Sequence, residues 1–184
     1  DDAVALAQRA SDRHKEQLEK VTDITADTPE IIGEAPSMQE VFRAIGRLSK
    51  SNINVLITGE SGTGKELVAL SLHKHSPRAH QPFIALNTAA IPRELLESEL
   101  FGHEKGAFTG ATQNKPGLLE VASGGTIFLD EICNISDAMQ MKLMRAVQAQ
   151  QITRVGGIQP IDIDVRFVVA TNRDIEEMIE AGQF

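Results

Sequence analysis

The chain has 184 residues, 41% hydrophobic and 24% charged, which is enough for one α/β domain with a core and a short appendage. A formal net charge of −8 argues against this segment holding duplex DNA by itself, because phosphate binding needs clustered lysine and arginine. The single cysteine, Cys133, excludes an internal disulfide framework. With no apolar run of about 18 residues and no signal peptide, the sequence favours a soluble cytoplasmic protein.

The first 30 residues differ in composition from the rest of the chain. They hold eight acidic and four basic residues around a thin apolar stripe, which is typical of a solvated helix. Residues 22–29 break this pattern, so we expect a linker there and a domain boundary near Glu30. A helix that connects or dimerises domains and a frayed charged tail remain equally open.

The next segment predicts a helix followed by a strand. Residues 37–40, SMQE, match a capping box, and the helix after it would turn four apolar residues toward the core: Val41, Phe42, Ile45 and Leu48. The apolar run at 53–57 predicts the first strand.

A glycine-rich segment, GESGTGKE at residues 59–66, lies between that strand and a helix predicted to end near His75. Its Gly59-x-x-x-x-Gly64-Lys65 spacing predicts a phosphate-binding loop, in which backbone N–H groups turn inward and Lys65 reaches the terminal phosphates. The alternative is a plain glycine-rich turn. Glu66 stands where most such loops place a serine or threonine hydroxyl on Mg²⁺, so the metal must depend on a carboxylate elsewhere.

Residues 83–86 predict a second strand, which ends at Asn87. Pro92 suits the first turn of a helix that runs through Leu95, Leu96 and Leu100. Residues 101–111 then show neither helical nor strand periodicity. Phe108, bracketed by glycines in this stretch, is either buried by chance or displayed, and composition leaves both possibilities open.

An acidic pair follows the next predicted strand. Residues 117–122 predict a short helix, 124–125 a turn, and 126–129 a buried parallel strand that ends in Asp130 and Glu131. Ligands of α/β sheets lie at the carboxyl ends of such strands. Asp130 is therefore placed to hold Mg²⁺ on ATP, and Glu131 to orient and deprotonate the attacking water. A solvated acidic loop is the competing interpretation.

The remaining segments complete the alternation of strands and helices. Ser136 caps a helix with an apolar stripe of Met139, Leu143, Met144 and Val147. Residues 152–155 and 161–163 predict a hairpin, residues 165–170 another buried strand, and residues 175–181 a last helix. Asn172, after that strand, shares the sheet edge with Asp130 and could sense the γ-phosphate, or it simply ends the strand. We interpret all five histidines as surface or packing residues.

Together these motifs resemble a known family. The segments GESGTGKE, ESELFGHEKGAFTGA, GGTIFLDEI and RVGG are similar to the AAA+ central domain of bacterial enhancer-binding proteins, the sigma-54-dependent activators of the nitrogen-regulator type. The resemblance covers about residues 31–184. It implies a three-layer α/β P-loop NTPase (AAA+) fold with a mostly parallel five-stranded sheet, preceded by the linker helix and without a C-terminal helical lid.

The resemblance also implies a set of site residues. The ATP phosphate loop would be Gly59, Glu60, Ser61, Gly62, Thr63, Gly64, Lys65 and Glu66. A second ATP-binding stretch would be Ala122, Ser123, Gly124, Gly125, Thr126, Ile127, Phe128, Leu129, Asp130 and Glu131. Ile32 and Gly33 would pack adenine, and Asp130 would hold Mg²⁺. Asn87 would hold the catalytic Glu131 idle until the partner engages. Asn172 would be the sensor residue of the family, which contacts the γ-phosphate.

The implied partners follow from the same resemblance. Gly106, Ala107, Phe108, Thr109, Gly110 and Ala111 would form the loop that contacts the sigma-54 factor. The protein would use ATP to remodel the closed complex of the sigma-54 RNA polymerase, as a ring of six or seven subunits and possibly a dimer in the off state. DNA would be bound only by a domain outside this chain.

Two features set the remaining expectations. Cys133 and the residues after it depart from the family pattern. The surface loop that they form, the second after the 106–111 loop, is therefore expected to differ in conformation from that of the family. The family's arginine fingers and lid would follow Phe184, so we expect residues 1–184 alone to hydrolyse ATP weakly. The alternatives are a nucleotide-binding interaction module without turnover and a different AAA+ machine.

Overall fold

The computed structural model describes residues 35–182. The predicted linker helix of residues 1–30, the domain boundary near Glu30 and the adenine-packing residues Ile32 and Gly33 lie outside this range. They remain predictions.

The described residues form six α-helices and eight strands. The helices are α1 (Pro36–Leu48), α2 (Lys65–Lys74), α3 (Arg93–Phe101), α4 (Leu118–Val121), α5 (Asp137–Ala149) and α6 (Ile175–Glu180). The strands are β1 (Val55–Thr58), β2 (Phe83–Asn87), β3 (Gly102–His103), β4 (Lys115–Pro116), β5 (Thr126–Asp130), β6 (Gln151–Ile152), β7 (Ile161–Asp162) and β8 (Arg166–Thr171). Short 3₁₀ turns span Thr88–Ala90 and Ile132–Asn134.

The central sheet is parallel and has four strands in the order β1-β8-β5-β2. The α/β class is confirmed, but the predicted five strands are four within residues 35–182. The other short strands do not join this sheet, because β3 pairs with β4 and β6 with β7 as separate two-residue antiparallel ladders. All four long strands therefore point their carboxyl ends toward one edge.

The core lies around β5 and β8, the two inner strands. Ile127, Phe128 and Leu129 of β5 and Phe167 and Val168 of β8 are all at most 2% exposed. Such continuous burial is what a parallel strand covered on both faces requires. None of the helices in the described part of the chain is long and apolar enough to cross a membrane.

Two local predictions were wrong. Ser37 does not cap α1: the helix begins at Pro36, its N-cap is Ala35 without a side-chain cap, and proline takes the first turn because its missing N–H costs nothing there. Met144 does not join the buried stripe of α5, since it is 54% exposed while Ala146 is fully buried. The Ser136 cap is confirmed, with its hydroxyl accepting from Met139 N at 3.4 Å.

Histidine and hairpin predictions hold in the described residues. His73 packs against Phe83, with ring centroids 5.2 Å apart, and its Nδ1 lies 3.0 Å from Thr126 Oγ1. Burial lowers the pKa of His73, which keeps the ring neutral. The predicted hairpin forms, though its paired part is only Gln151–Ile152 with Ile161–Asp162.

Candidate functional site

The glycine-rich segment forms an open loop between β1 and α2. Gly62 and Gly64 have φ values of 79° and 86°, a left-handed backbone that glycine adopts without a steric cost. Within residues 35–182, the backbone N–H groups of Ser61, Gly62 and Gly64 have no protein acceptor. Unpaired N–H groups in a glycine-rich turn at a helix N-terminus form an anion-binding concavity, so the loop fits the phosphates of a nucleotide.

Lys65 lies at the start of α2 and folds back over this loop. Its side chain is largely buried, and Nζ donates to the Gly59 and Glu60 carbonyl oxygens at 3.0 and 2.8 Å. No carboxylate among the described residues forms an ion pair with it. The charge of Lys65 is therefore held in place by neutral acceptors and remains available for a phosphate.

The strand register brings the predicted polar residues to one edge of the sheet. Thr58 lies opposite Thr171, and Asn87 lies opposite Asp130. The phosphate loop continues this alignment, because Gly59 N donates to the Thr171 carbonyl at 3.2 Å. Asn172, which follows β8, is exposed at this edge, between the strand that leads into the loop and the strand that ends in the acidic pair.

The acidic pair is held by its neighbours. Asp130 Oδ1 accepts from Glu131 N at 2.9 Å, and Thr88 Oγ1 lies within 3.0 and 2.9 Å of the Asp130 and Glu131 carbonyl oxygens. Glu131 has a left-handed backbone, with φ 57° and ψ 39°. Its Oε2 accepts from Asn134 Nδ2 at 3.3 Å, while Asn87 Oδ1 accepts from Ala89 N at 2.9 Å.

Sequence reasoning missed Thr88 and Asn134. Thr88 follows the strand-ending Asn87 directly and is 3% exposed, yet a lone threonine after a strand carries no distinctive sequence signal. Asn134 belongs to the segment that departs from the family pattern, which was the available signal. The role of Asn87 in holding Glu131 stays a prediction, since the structure gives that contact to Asn134.

The second ATP-binding stretch is only partly at this edge. Residues 122–125 lie at the opposite, amino end of β5, and residues 126–129 are buried within the sheet. A five-residue strand separates its ends by roughly 13–16 Å. Of this stretch, only Asp130 and Glu131 therefore lie at the sheet edge that carries the phosphate loop.

The donor set suits Mg²⁺ bound together with a nucleotide. Within residues 35–182, no group of three or more His, Cys, Asp or Glu side chains could hold a metal ion by itself. Mg²⁺ in nucleotide sites takes one or two carboxylates, phosphate oxygens and waters, which the partly buried Asp130 and a bound triphosphate would provide.

The loop at residues 106–111 is compact and displays its aromatic residue. Gly106 N donates to the Ala111 carbonyl at 2.8 Å, which closes the loop, and Ala111 is buried. Phe108 is 41% exposed, and its ring meets the His103 ring edge to face, with centroids 5.0 Å apart. The structure therefore favours display of Phe108 over burial.

The base of this loop is fastened to the segment before β7. Glu104 N donates to the Val155 carbonyl at 3.0 Å. Arg154 donates to both carboxylate oxygens of Glu120 at 2.9 and 2.7 Å and to Glu104 Oε1 at 3.2 Å. This bidentate bonding lowers the pKa of Glu120 and raises that of Arg154. We call Arg154, Glu104 and Glu120 the loop clamp.

A family model described as the sigma-54 interaction domain matches residues 31–184. The chain belongs to the sigma-54 interaction domain family. It is 56% identical over 185 residues to the DNA-binding transcriptional regulator NtrC of Escherichia coli K12, in an alignment that covers 100% of this chain and 39% of NtrC. It is also 56% identical over 154 residues to the Nif-specific regulatory protein of Azotobacter vinelandii, covering 84% of this chain and 30% of that protein.

Solved structures agree with this family. NtrX from Brucella abortus in complex with ATP matches with a TM-score of 0.77 and 38% identity, over 98% of this chain and 40% of NtrX. The P-loop NTPase domain of the sigma-54 transport activator from E. coli, at 18% identity and a TM-score of 0.52 over 76% of this chain and 90% of that domain, shows the fold alone. The chain spans 39% of the length of the NtrC of Escherichia coli K12.

Proposed function

We propose that this domain binds and hydrolyses ATP and couples hydrolysis to remodelling of a sigma-54 RNA polymerase complex. One observation carries the proposal: the phosphate loop with unpaired N–H groups, the Asp130–Glu131 pair and Asn172 meet at one sheet edge. The family match and the ATP complex of NtrX support the same nucleotide.

The residues divide the chemical work. Loop N–H groups and Lys65 bind the phosphates, and Lys65 exchanges the Gly59 and Glu60 carbonyls for phosphate oxygens. Asp130 would hold Mg²⁺, which neutralises charge on the phosphates when bound. Glu131 orients the attacking water and accepts its proton, and Asn172 contacts the γ-phosphate from the neighbouring strand. Thr88 fixes the backbone that carries both carboxylates.

The loop of residues 106–111 supplies the partner contact. Phe108 and Thr109 are exposed at its tip, where an apolar ring can bury area against the sigma factor. Assembly into a ring and DNA binding through other segments belong to the same proposal. Because a sigma factor acts on the chromosome, the proposal also places the protein in the cytoplasm.

Steady-state ATP hydrolysis by the natural full-length protein tests the proposal. Glu131→Gln should keep nucleotide affinity and reduce turnover to about a tenth or less, because an amide accepts hydrogen bonds but takes no proton. Turnover by this variant at the parent rate would remove Glu131 from the base role. A parent that binds ATP and captures sigma-54 without turnover would instead be an interaction module.

A further inference from the structure

A cavity of about 290 Å³ lies between α5 and the segment that contains β6. None of the described residues that line it belongs to the phosphate loop, the acidic pair or the 106–111 loop. Its deepest side chains are apolar, since Phe101 is 2% and Ile152 4% exposed, and Ala149 adds a methyl group. Ligand pockets measure about 300–1,000 Å³, so this cavity suits a small molecule.

Two cations of α5 line the same cavity. Lys142 and Arg145 are three residues apart and therefore lie on one side of the helix. Lys142 is already engaged, because its Nζ pairs with Glu97 and lies 5.9 Å from the centre of the Phe101 ring. Arg145 is exposed and forms no ion pair with an acidic side chain of residues 35–182. The described chain therefore leaves the charge of this guanidinium without a partner.

Carboxylates do not compete for Arg145 at this cavity. No aspartate or glutamate is among the described lining residues. The acids that contact lining residues are engaged, since Glu97 pairs with Lys142 and Asp162 accepts from Gln151 Nε2 at 2.7 Å. A guanidinium binds the oxygens of an anion in bidentate geometry, and burial of hydrocarbon on the apolar side chains adds a favourable contribution.

We propose that this cavity binds a small organic anion, whose carboxylate or similar group pairs with Arg145 while its apolar body packs on Phe101 and Ile152. The cavity also touches two segments that position the 106–111 loop. Phe101 directly precedes β3, and Thr153 directly precedes Arg154 of the loop clamp. An occupant would connect α5 to both segments.

A matched pair of probes tests the site in the natural full-length protein. 1-Naphthoate and 1-naphthamide share their apolar rings and differ in charge. Ligand-observed saturation-transfer NMR measures their binding, with the nucleotide site filled by a slowly hydrolysed ATP analogue. We expect a Kd for 1-naphthoate of about 1 mM, which is usual for a ligand of this size. 1-Naphthamide should bind about fivefold more weakly, because it forms no ion pair.

Three variants separate charge from shape. Arg145→Gln should weaken 1-naphthoate about fivefold and leave 1-naphthamide within about twofold, because only the charge is lost. Ala149→Phe keeps Arg145 but fills the cavity, so it should abolish binding of both probes. Arg43→Gln, at an exposed arginine of α1 that does not line the cavity, is the matched control and should leave both Kd values unchanged.

Several results would overturn the proposal. Equal affinities of the two probes, or 1-naphthoate binding that Arg145→Gln does not weaken, would remove Arg145 from the site. Undiminished binding to a folded Ala149→Phe would place the probe elsewhere, and so would binding that the ATP analogue abolishes. No saturable binding of 1-naphthoate up to about 10 mM, well above the expected Kd, would mean that the cavity holds no such ligand. Should Ala149→Phe fail to fold, the surface substitution Arg145→Gln decides alone.

Discussion

At the phosphate loop, Lys65 gives the clearest case of a side chain whose position depends on a few backbone groups. It is 7% exposed and held by two carbonyls, so its burial does not come from an ion pair within the described residues. A buried cation without a counter-charge is costly unless it is well hydrogen-bonded. A phosphate that enters this loop therefore gains a partner already in place.

We expect Lys65→Ala to weaken ATP binding by about 2–5 kcal/mol, at least 30-fold in Kd, because it removes a desolvated charge that faces the phosphates. Isothermal titration of the purified protein with a slowly hydrolysed ATP analogue measures this. Lys50→Ala, at an exposed lysine after α1, is the control. Equal affinities for the parent and Lys65→Ala would refute the phosphate loop.

Single residues also show where sequence reasoning was limited. The Gly-x-x-x-x-Gly-Lys spacing predicted the loop because backbone conformation there depends on glycine itself. The contact between Glu131 and Asn134 was not predictable, since it depends on a left-handed backbone at a glutamate, which sequence patterns do not favour. The SMQE capping box failed because the helix begins at Pro36, two residues before the start that a Ser37 cap would set.

Between elements, the loop clamp joins the segment after α3 to α4 and to the segment before β7. Arg154 reaches Glu104 and Glu120, which lie 50 and 34 residues away in sequence. Backbone bonds beside it, such as Glu104 N to the Val155 carbonyl, hold the same two segments together. The position of the displayed loop therefore depends on contacts that are distant in sequence.

The clamp predicts a pH dependence of stability. The folded pKa of Glu120 lies below its ordinary value of 4.5, chiefly through hydrogen bonds from Arg154. The unfolded state then binds more protons in that range, so the stabilisation is present above about pH 4.5 and is lost as pH falls through the folded pKa. The difference in unfolding free energy between parent and Glu120→Gln should therefore shrink on acidification.

Urea unfolding from about pH 6 to pH 3 measures this difference. Glu94→Gln, at an exposed glutamate of α3, controls for the loss of a carboxylate as such. A difference for Glu120→Gln that stays constant or grows toward low pH would contradict the clamp.

A second contact between elements is steric. Gly156 has φ 77°, and a Cβ there would lie 2.7 Å from Ala107 Cβ, so the segment before β7 approaches the displayed loop as closely as glycine permits. Gly106 has a similar φ of 84° with nothing within 4 Å of its Cβ position. Alanine substitutions at these two glycines therefore distinguish the effect of backbone strain, which both share, from that of steric crowding, which only Gly156 has.

Gly106→Ala should lower the free energy of unfolding by about 1 kcal/mol, through backbone strain alone. Gly156→Ala should lower it by about 1–3 kcal/mol more, because the new methyl group overpacks against Ala107. For a domain of this size, 1 kcal/mol corresponds to about 2–4 °C in melting temperature. Thermal unfolding of both variants measures the difference in melting temperature between them. Equal melting temperatures would show that the segment before β7 does not touch the 106–111 loop.

For the whole molecule, alternation of apolar runs and helical patterns predicted the parallel sheet and placed Asp130 and Asn172 at one edge. That success has a physical cause, since parallel strands linked by helices must end on the same side. The number of strands in the central sheet was harder to predict from sequence. Whether a short strand joins that sheet or forms a separate two-residue ladder depends on local pairing, which periodicity does not reveal. Display of Phe108 was undecidable from composition, which contains no information on the His103 contact.

Phe108 lies on the displayed loop, in a different segment from the residues of the nucleotide site. A buried phenylalanine replaced by alanine costs about 3–5 kcal/mol, whereas Phe108 is 41% exposed and has one edge-to-face contact, worth about 0.5–1.5 kcal/mol. Phe108→Ala should therefore melt within a few degrees of the parent. It should also keep ATP hydrolysis in the natural full-length protein, because the loop lies on a different segment from Lys65 and Glu131.

Capture of sigma-54 should be lost in this variant. Gel filtration with purified sigma-54 and ADP with aluminium fluoride, which mimics the transferring phosphoryl group, measures it, and Phe42→Ala, in the partly buried face of α1, controls for loss of an aromatic ring elsewhere. A large fall in the melting temperature of Phe108→Ala would place its ring in the core. Normal capture by a stable Phe108→Ala would move the sigma-factor contact to other residues, because the only aromatic ring of the 106–111 loop would then be dispensable.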